Sequence, residues 1–359
     1  MKKKVLSLIP AAAMALTLLT GCSGIARVET PYAEGGRSYN LVYQCSTGTG
    51  GNPFKCAELL SDTIEKTSGG RINMDTLATD SVVSTADMLD AVGNGTLDCI
   101  HMPAVNFADD AVSALSSLPA GMNYQDYMGW YFAGEGQKIL DEVMAEIAPN
   151  VVAIPCGAVD SEILFCSKTP IKSLEDIKGL KIRGVSDWAN IETILGASVV
   201  SMAGSECYEA ISRGTIDAFE YSGPYTNWSA GFHEVAPCIT VPGIHAPCAV
   251  FLFIVNKDVW NSLDETAQNI IRTSCQAMCT QTYVNDFYSN ADAWKKFEEL
   301  EEKGECTISY MSDEDLETIR EVASDYYEKK CESNPLFAKI YNSQMEYLEQ
   351  TRGWREAVS

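Results

Sequence analysis

Histidine is nearly absent, with only His101, His233 and His245 in 359 residues. None lies in an HExxH pattern and none accompanies a Cys-x-x-Cys, so the spacings that announce a zinc centre are missing. There is no G-x-S-x-G turn to present a nucleophilic serine and no GxxxxGK[ST] loop to cradle phosphates. The run TGTGG at 47–51 sits between a strand-like and a helix-like stretch. It lacks the lysine and the dinucleotide spacing, and is expected to be a close-packed turn.

Positive charge is the second scarcity. Against 49 Asp and Glu stand 26 Lys and Arg, a formal net charge of −23. Residues 1–21 hold Lys2, Lys3 and Lys4 and no acid, so a chain beginning at Cys22 carries −23 − 3 = −26. Such a surface repels phosphate backbones, and no nucleic-acid partner is expected. An anionic ligand would have to be met by a local cation.

Long apolar runs are confined to the N-terminus, MKKKVLSLIPAAAMALTLLTGC. A basic start, a run too short and small-residue-rich for a membrane span, and Leu19-Thr20-Gly21-Cys22 read as a lipoprotein signal peptide over 1–21. In that reading Cys22 is lipidated and anchors an exported, extracytoplasmic protein to a membrane, and residues 22–38 form a tether. An ordinary signal peptide with a chance cysteine is the alternative.

Cysteine, by contrast, is plentiful: 13 − 1 = 12 remain after Cys22. Their spacing is irregular and many lie inside apolar runs, where a free thiol behaves as a small hydrophobe. Cys45 and Cys56 are the pair to examine for a bridge. Cys275 and Cys279 have helical spacing but no histidine nearby.

Strand and helix periodicities alternate from YNLVYQC (39–45) to VVAIPCG (151–157), and again from ILFCS (163–167) to DAFEYS (217–222). Within the second series, SLEDIKG (173–179) is expected to be a short helix. After the apolar strand AVFLFIVNK, residues 262–304 form one long helix or two stacked ones, followed by strand CTISYM and further helices. The fold class is α/β: two lobes, each a mixed sheet flanked by helices, resembling periplasmic binding proteins, with a long C-terminal helix spanning both. The expected division is 39–156 plus 248–290 for lobe 1 and 157–247 plus 291–349 for lobe 2, with 350–359 a tail. Ligands of such sheets bind in the cleft at the carboxyl ends of strands.

The most informative stretch is GLKIRGVSDWANIETILGASVVSMAGSECYEAISRGTIDAFEYSGPYTNW, at 179–228. Gly179 to Arg183, Leu195-Gly196, Glu206/Tyr208/Ala210/Ile211/Gly214 and Ile216-Asp217-Ala218 follow one family's pattern. So do SGGRINMDTLA, DMLDAVGNGTLD, PGIHAP and IVNKDVWNSLDETAQNII. Together they resemble the solute-binding proteins of tripartite ATP-independent periplasmic (TRAP) transporters. The nearest resemblance is to the branch for 2-oxo acids and related monocarboxylates.

That resemblance implies a binding protein and not an enzyme. It would deliver a small organic acid anion to TRAP membrane subunits. Arg183 would clamp the carboxylate, since a guanidinium makes two parallel hydrogen bonds that lysine cannot copy. A surface pair with Glu175 or Asp176 is the other reading of Arg183. The family pattern also implies a cation bridging protein and solute, held by Glu162, Glu220, the Tyr221 main chain and His245. Departures stand at Glu162, Tyr221 and Ile244, where the pattern has glutamine, tryptophan and tryptophan. An extra carboxylate favours Ca²⁺ over Na⁺, or meets a cationic part of a different solute. Glu162 and Glu220 as solvated edge carboxylates, and His245 as merely structural, are the plainer readings. Tyr221 and Phe219 alternate on a strand, so one faces the cleft and the other the core, Tyr221 being the cleft candidate. Trp188 walls the pocket or packs the core. Gln44 and Asn106 stand where strands end at the cleft. A lipid-anchored sensory protein that presents its solute to a receptor is an alternative function, as is an envelope hydrolase, which the missing nucleophile–base set disfavours.

Overall fold

The computed structural model describes residues 37–358. The expected signal peptide, Cys22 and nearly all of the tether lie outside the described residues.

In chain order the elements are β1 (Tyr39–Cys45), α1 (Asn52–Thr67), β2 (Ile72–Leu77), α2 (Met88–Gly93), β3 (Cys99–Met102), α3 (Tyr124–Phe132), α4 (Gly136–Ile147) and β4 (Val151–Val159). There follow β5 (Phe165–Ser167), β6 (Lys181–Arg183), α5 (Ser186–Ile194), β7 (Ser198–Val200), α6 (Cys207–Arg213), β8 (Ala218–Phe219), α7 (Pro224–Ser229) and β9 (Cys238–Val241). The chain ends with β10 (Ala249–Asn256), α8 (Lys257–Ser262), α9 (Glu265–Glu302), β11 (Thr307–Tyr310), α10 (Asp313–Ser333) and α11 (Pro335–Val358).

The strands make two mixed sheets, ordered β2-β1-β3-β10-β4 and β11-β9-β5-β8-β6-β7. In the first, β1 runs parallel to β2 and β3, while β10 lies antiparallel between β3 and β4. The sequence AVFLFIVN has no polar alternation because β10 is covered on both faces, as a central strand requires. In the second, β6 is parallel to β7 and β8, and β5 is antiparallel to β8 and β9. The chain passes from one sheet to the other after β4, and returns between β9 and β10. An isolated bridge pairs Glu162 with Gly243, so the two crossing segments touch.

Residues 262–304 contain one helix, not two: α9 is 38 residues long, about 57 Å at 1.5 Å per residue. Its first half packs on the first sheet, where Thr282 Oγ1 accepts from Ala158 N at 2.9 Å and donates to Ala158 O at 3.1 Å. Farther on, Asn290 Oδ1 accepts from Tyr225 N at 3.0 Å, and Phe297 is buried beside Phe219 and Phe232 in the second lobe's core. Between them Asp286 accepts from Asp160 N and Asn290 Nδ2, each at 2.9 Å. Positions 282, 286 and 290 recur every four residues, so this buried polar row occupies one face of the helix.

Three expectations need correction. SLEDIKG is a run of turns, because the Asp176 carboxylate captures the amides of Lys172 and Ser173 at 2.9 and 3.0 Å, which competes with helix formation. The last helix does not belong with the second lobe: Trp130 Nε1 donates to Ser343 Oγ at 3.1 Å, and Gln344 Nε2 to Ala114 O at 2.6 Å. It also continues as α11 to Val358, through the stretch set off as a tail, with Arg355 paired to Asp126. Finally, all twelve described cysteines are free. Cys45 Sγ lies 3.3 Å from Thr47 Oγ1 and makes no bridge to Cys56. Burial pushes the Cys56 thiol up to about 12, which keeps it protonated and unreactive. Among the described residues no helix is long and apolar enough to cross a membrane.

Candidate functional site

Successive residues of a strand face opposite sides. On β6, Ile182 is fully buried in the core and Arg183 points the other way. Arg183 is nevertheless only 8% exposed, because β8 brings Glu220 beside it. Its Nη1 donates to the Glu220 main-chain oxygen at 2.7 Å and to Glu220 Oε1 at 2.8 Å, and Nε donates to Met202 O at 3.3 Å. The surface pairing with Glu175 or Asp176 does not occur: Lys178 takes Glu175, and Asp176 caps its own turn. Burial pushes the Glu220 carboxyl above the usual carboxylate range, with Arg183 and His245 pulling it back.

The crossing segments supply the rest. Glu162 N donates to Ala246 O at 3.2 Å, and His245 Nε2 lies 3.1 Å from Glu162 Oε2. Gly243 permits this approach, since a Cβ there would stand 1.9 Å from Glu162 O. The His245 ring rests 5.7 Å from Trp188, and its Nδ1 is buried without a partner. Among the described residues Glu162, Glu220 and His245 form the one trio of ligand-bearing side chains, with donor atoms all within 4.8 Å of one another. They line a cavity of about 200 Å³ together with Arg183, Trp188 and Tyr221. Past Glu162 and Tyr221 opens a second cavity of about 490 Å³, bounded by residues 47–53 of the first lobe and by α7 of the second. Asn106 lines this larger space.

Two of the expected contacts lie elsewhere. Phe219 is fully buried against Phe232 at 4.6 Å, so Tyr221 is the partner of the alternating pair that reaches the cavity. Gln44 is also fully buried: Nε2 donates to Val83 O at 2.8 Å and Oε1 accepts from Val82 N at 2.9 Å, bracing a loop. The 47–51 turn is not close-packed either, for no atom lies within 4 Å of where a Cβ would stand at Gly48 or Gly50.

Glu192 was not anticipated. It follows Trp188 by four residues on α5, hence on the same face, and is completely buried with neither carboxylate oxygen hydrogen-bonded. It packs under Gly184, where a Cβ would meet its Oε2 at 2.2 Å. Burial raises its pKa well above the carboxylate range and Glu220 adds to this, while Arg183 opposes it. With the folded-state value raised, the proton is held in the folded chain. The stability this contributes is present in acid and is lost as pH climbs through the folded value. Glu192→Gln, uncharged at every pH, should therefore leave the melting temperature near wild type at pH 5. At pH 8 it should raise it by about 2 °C or more, the shift of about 1 kcal/mol in a large domain. Equal shifts in thermal scans at both pH values would show that Glu192 does not titrate with folding.

A family profile described as "Bacterial extracellular solute-binding protein, family 7" (DctP) matches residues 47–334. The chain belongs to this family. As a family-7 solute-binding protein it is extracytoplasmic and is not an enzyme. It is 27% identical over 304 residues to the monocarboxylate 2-oxoacid-binding periplasmic protein of Nostoc sp., covering 84% of this chain and 82% of that one. Among solved structures it resembles a TRAP transporter solute-binding protein from Bordetella bronchiseptica, with calcium and picolinate bound. That match has a TM-score of 0.82 and 24% identity, covering 90% of this chain and 95% of the other. A second, from Pseudoalteromonas atlantica with sodium and pyruvate bound, has a TM-score of 0.81 and 23% identity, covering 90% and 97%. These last two likenesses are of fold, and that fold is the two-lobed one described above.

Proposed function

We propose that this protein binds a small monocarboxylate between its lobes and delivers it to TRAP-type membrane subunits, held at the membrane by a lipid on Cys22. Lobes divided at the crossing segments would close over the solute and exclude water, which strengthens an ion pair. The observation that carries the reading is Arg183: a buried guanidinium in an acidic chain, opening on a cavity, whose partner Glu220 is a side chain that can be exchanged for a solute carboxylate. The solute's carboxylate would take the Nη edge, with Tyr221 and Trp188 as walls. The Nostoc relative's 2-oxo acid specificity and the pyruvate in the Pseudoalteromonas structure support this class of ligand.

Glu162, Glu220, the Tyr221 main chain and His245 would hold a cation. Two carboxylates within 4.8 Å and an unpartnered buried imidazole nitrogen fit such a role. When bound, the ion supplies positive charge to the solute's carboxylate and neighbouring oxygen. Two carboxylate donors favour Ca²⁺ over Na⁺, because charge count raises affinity at oxygen sites. In calorimetry with pyruvate, removing divalent ions by a chelator should weaken binding at least about tenfold, and added Ca²⁺ should restore it. Indifference to both treatments would remove the cation from the site.

A further inference from the structure

Three carboxylates line the small cavity: Glu162, Glu220 and Asp187. Asp187 is the second residue of α5, next to Trp188 and four residues beyond Arg183, and is 1% exposed. Both of its oxygens are already engaged. Oδ1 accepts from Lys330 Nζ at 2.5 Å and from Tyr326 Oη at 2.9 Å, and Oδ2 accepts from Ser113 Oγ at 3.3 Å.

These donors approach from across the cleft. Ser113 lies in the helical turn 110–115 of the first lobe. Lys330 and Tyr326 lie on α10, which starts beside β11 at the edge of the second sheet and ends against the first lobe. There Tyr327 Oη donates to Pro119 O at 2.9 Å. The Tyr327 ring stands 5.7 Å from Phe337, at the start of α11, and Lys330 Nζ lies 4.6 Å over the same ring. Since α11 is docked on the first lobe, Lys330 reaches Asp187 from that side, and α10 is a strap between the lobes.

A buried ion pair is a weak source of stability, because desolvation of both charges offsets most of their attraction, but it is strong only in a well-fitted geometry. With 10% and 1% of the two side chains exposed, this pair fixes α5 against α10. It lies directly after the turn that leads from the clamp into α5. Ser186 in that turn has φ 54°, a left-handed conformation that a residue with a Cβ keeps only where its surroundings hold it.

We propose that Asp187 is a positioning residue. Held by Lys330 and Ser113, it latches α5 to the first lobe when the lobes are closed, which sets Trp188 against the cavity and slows solute release without touching solute. This rests on the interlobe binding reading and goes beyond it in assigning the closing contact.

The test compares Lys330→Met with the double variant Lys330→Met/Asp187→Asn in the mature chain. Stopped-flow tryptophan fluorescence gives the rates for pyruvate in Ca²⁺, and melting curves are taken alongside. Lys330→Met strands a buried carboxylate, whereas the double variant strands nothing and should melt closer to wild type. It should still release pyruvate at least about tenfold faster than wild type, with association changed by less than about threefold, because a contact made after encounter acts on the off-rate. Ser113→Ala, which leaves the ion pair whole, repeats the arm should the double variant fold poorly, and should speed release at least about threefold. If release recovers together with the melting temperature, or association slows as much as release quickens, the latch is overturned while solute binding stands. If pyruvate does not bind the wild type, the proposed solute class fails and small-angle X-ray scattering decides the latch alone. A larger radius of gyration in the double variant than in the wild type upholds it, and equal radii overturn it.

Discussion

Arg183→Lys is expected to weaken carboxylate binding at least about tenfold, because the ammonium keeps the charge but loses the planar fork. Its effect on folding should be smaller, since a lysine can still neutralise Glu220. Arg183→Ala is a different experiment. Both side chains of the pair are less than a tenth exposed, at 9% and 6%. Removing one strands a buried charge, at a cost of about 3–5 kcal/mol. Pairing Arg183→Ala with Glu220→Gln should recover part of that loss without restoring binding. Denaturant melts and calorimetry on the three variants separate the two roles. Wild-type affinity in Arg183→Lys would eliminate the clamp.

Gly243→Ala should be nearly as damaging, for a steric reason. The new methyl would stand 1.9 Å from Glu162 O and 2.6 Å from Glu162 C. Both are main-chain atoms and cannot swing aside as a side-chain tip would. The crossing segments must part, an overpacking cost of about 1–3 kcal/mol. Because Glu162 and His245 lie on those two segments, the trio is pulled open as well. Calorimetry should register a loss of pyruvate affinity in Ca²⁺ of at least about tenfold. Gly93→Ala is the matching control: it lies in α2 with nothing within 4 Å of its Cβ. If Gly243→Ala bound pyruvate like Gly93→Ala, the contact between the crossing segments would have no part in the site.

Much of this is legible in the amino-acid sequence. The strands and long helix follow from period-two and period-3.6 patterning, which depends only on which face meets the core. Arg183 stood out because cations are scarce and it follows two strand residues. The alternation of Phe219 and Tyr221 makes one an inward residue and the other a cleft residue; Phe232 touches both rings, at 4.6 and 4.9 Å, and it is the complete burial of Phe219 that decides between them. Gln44 is taken up by an aperiodic loop at 82–83, whose path no spacing reveals. Glu192 shared a helical face with Trp188, yet a glutamate there is ordinarily solvated. Its burial depends on the backbone approach at Gly184, a tertiary event. The docking of α11 on the first lobe was hidden for a similar reason: an amphipathic pattern shows that a helix has a partner, but not which one.

The Thr282–Asp286–Asn290 row on α9 bears on how this architecture can vary. The side chains of one uninterrupted helix are matched to Ala158 and Asp160 at one end and to Tyr225 at the other. The lobes are therefore not interchangeable parts. A chimaera that took its second lobe from a relative would inherit a helix whose polar row is cut for a different strand exit. It would have to carry residues 282–290 and their three backbone partners as a single block. Substitutions in that block should be tolerated in sets, while the loops on either side of it change one residue at a time.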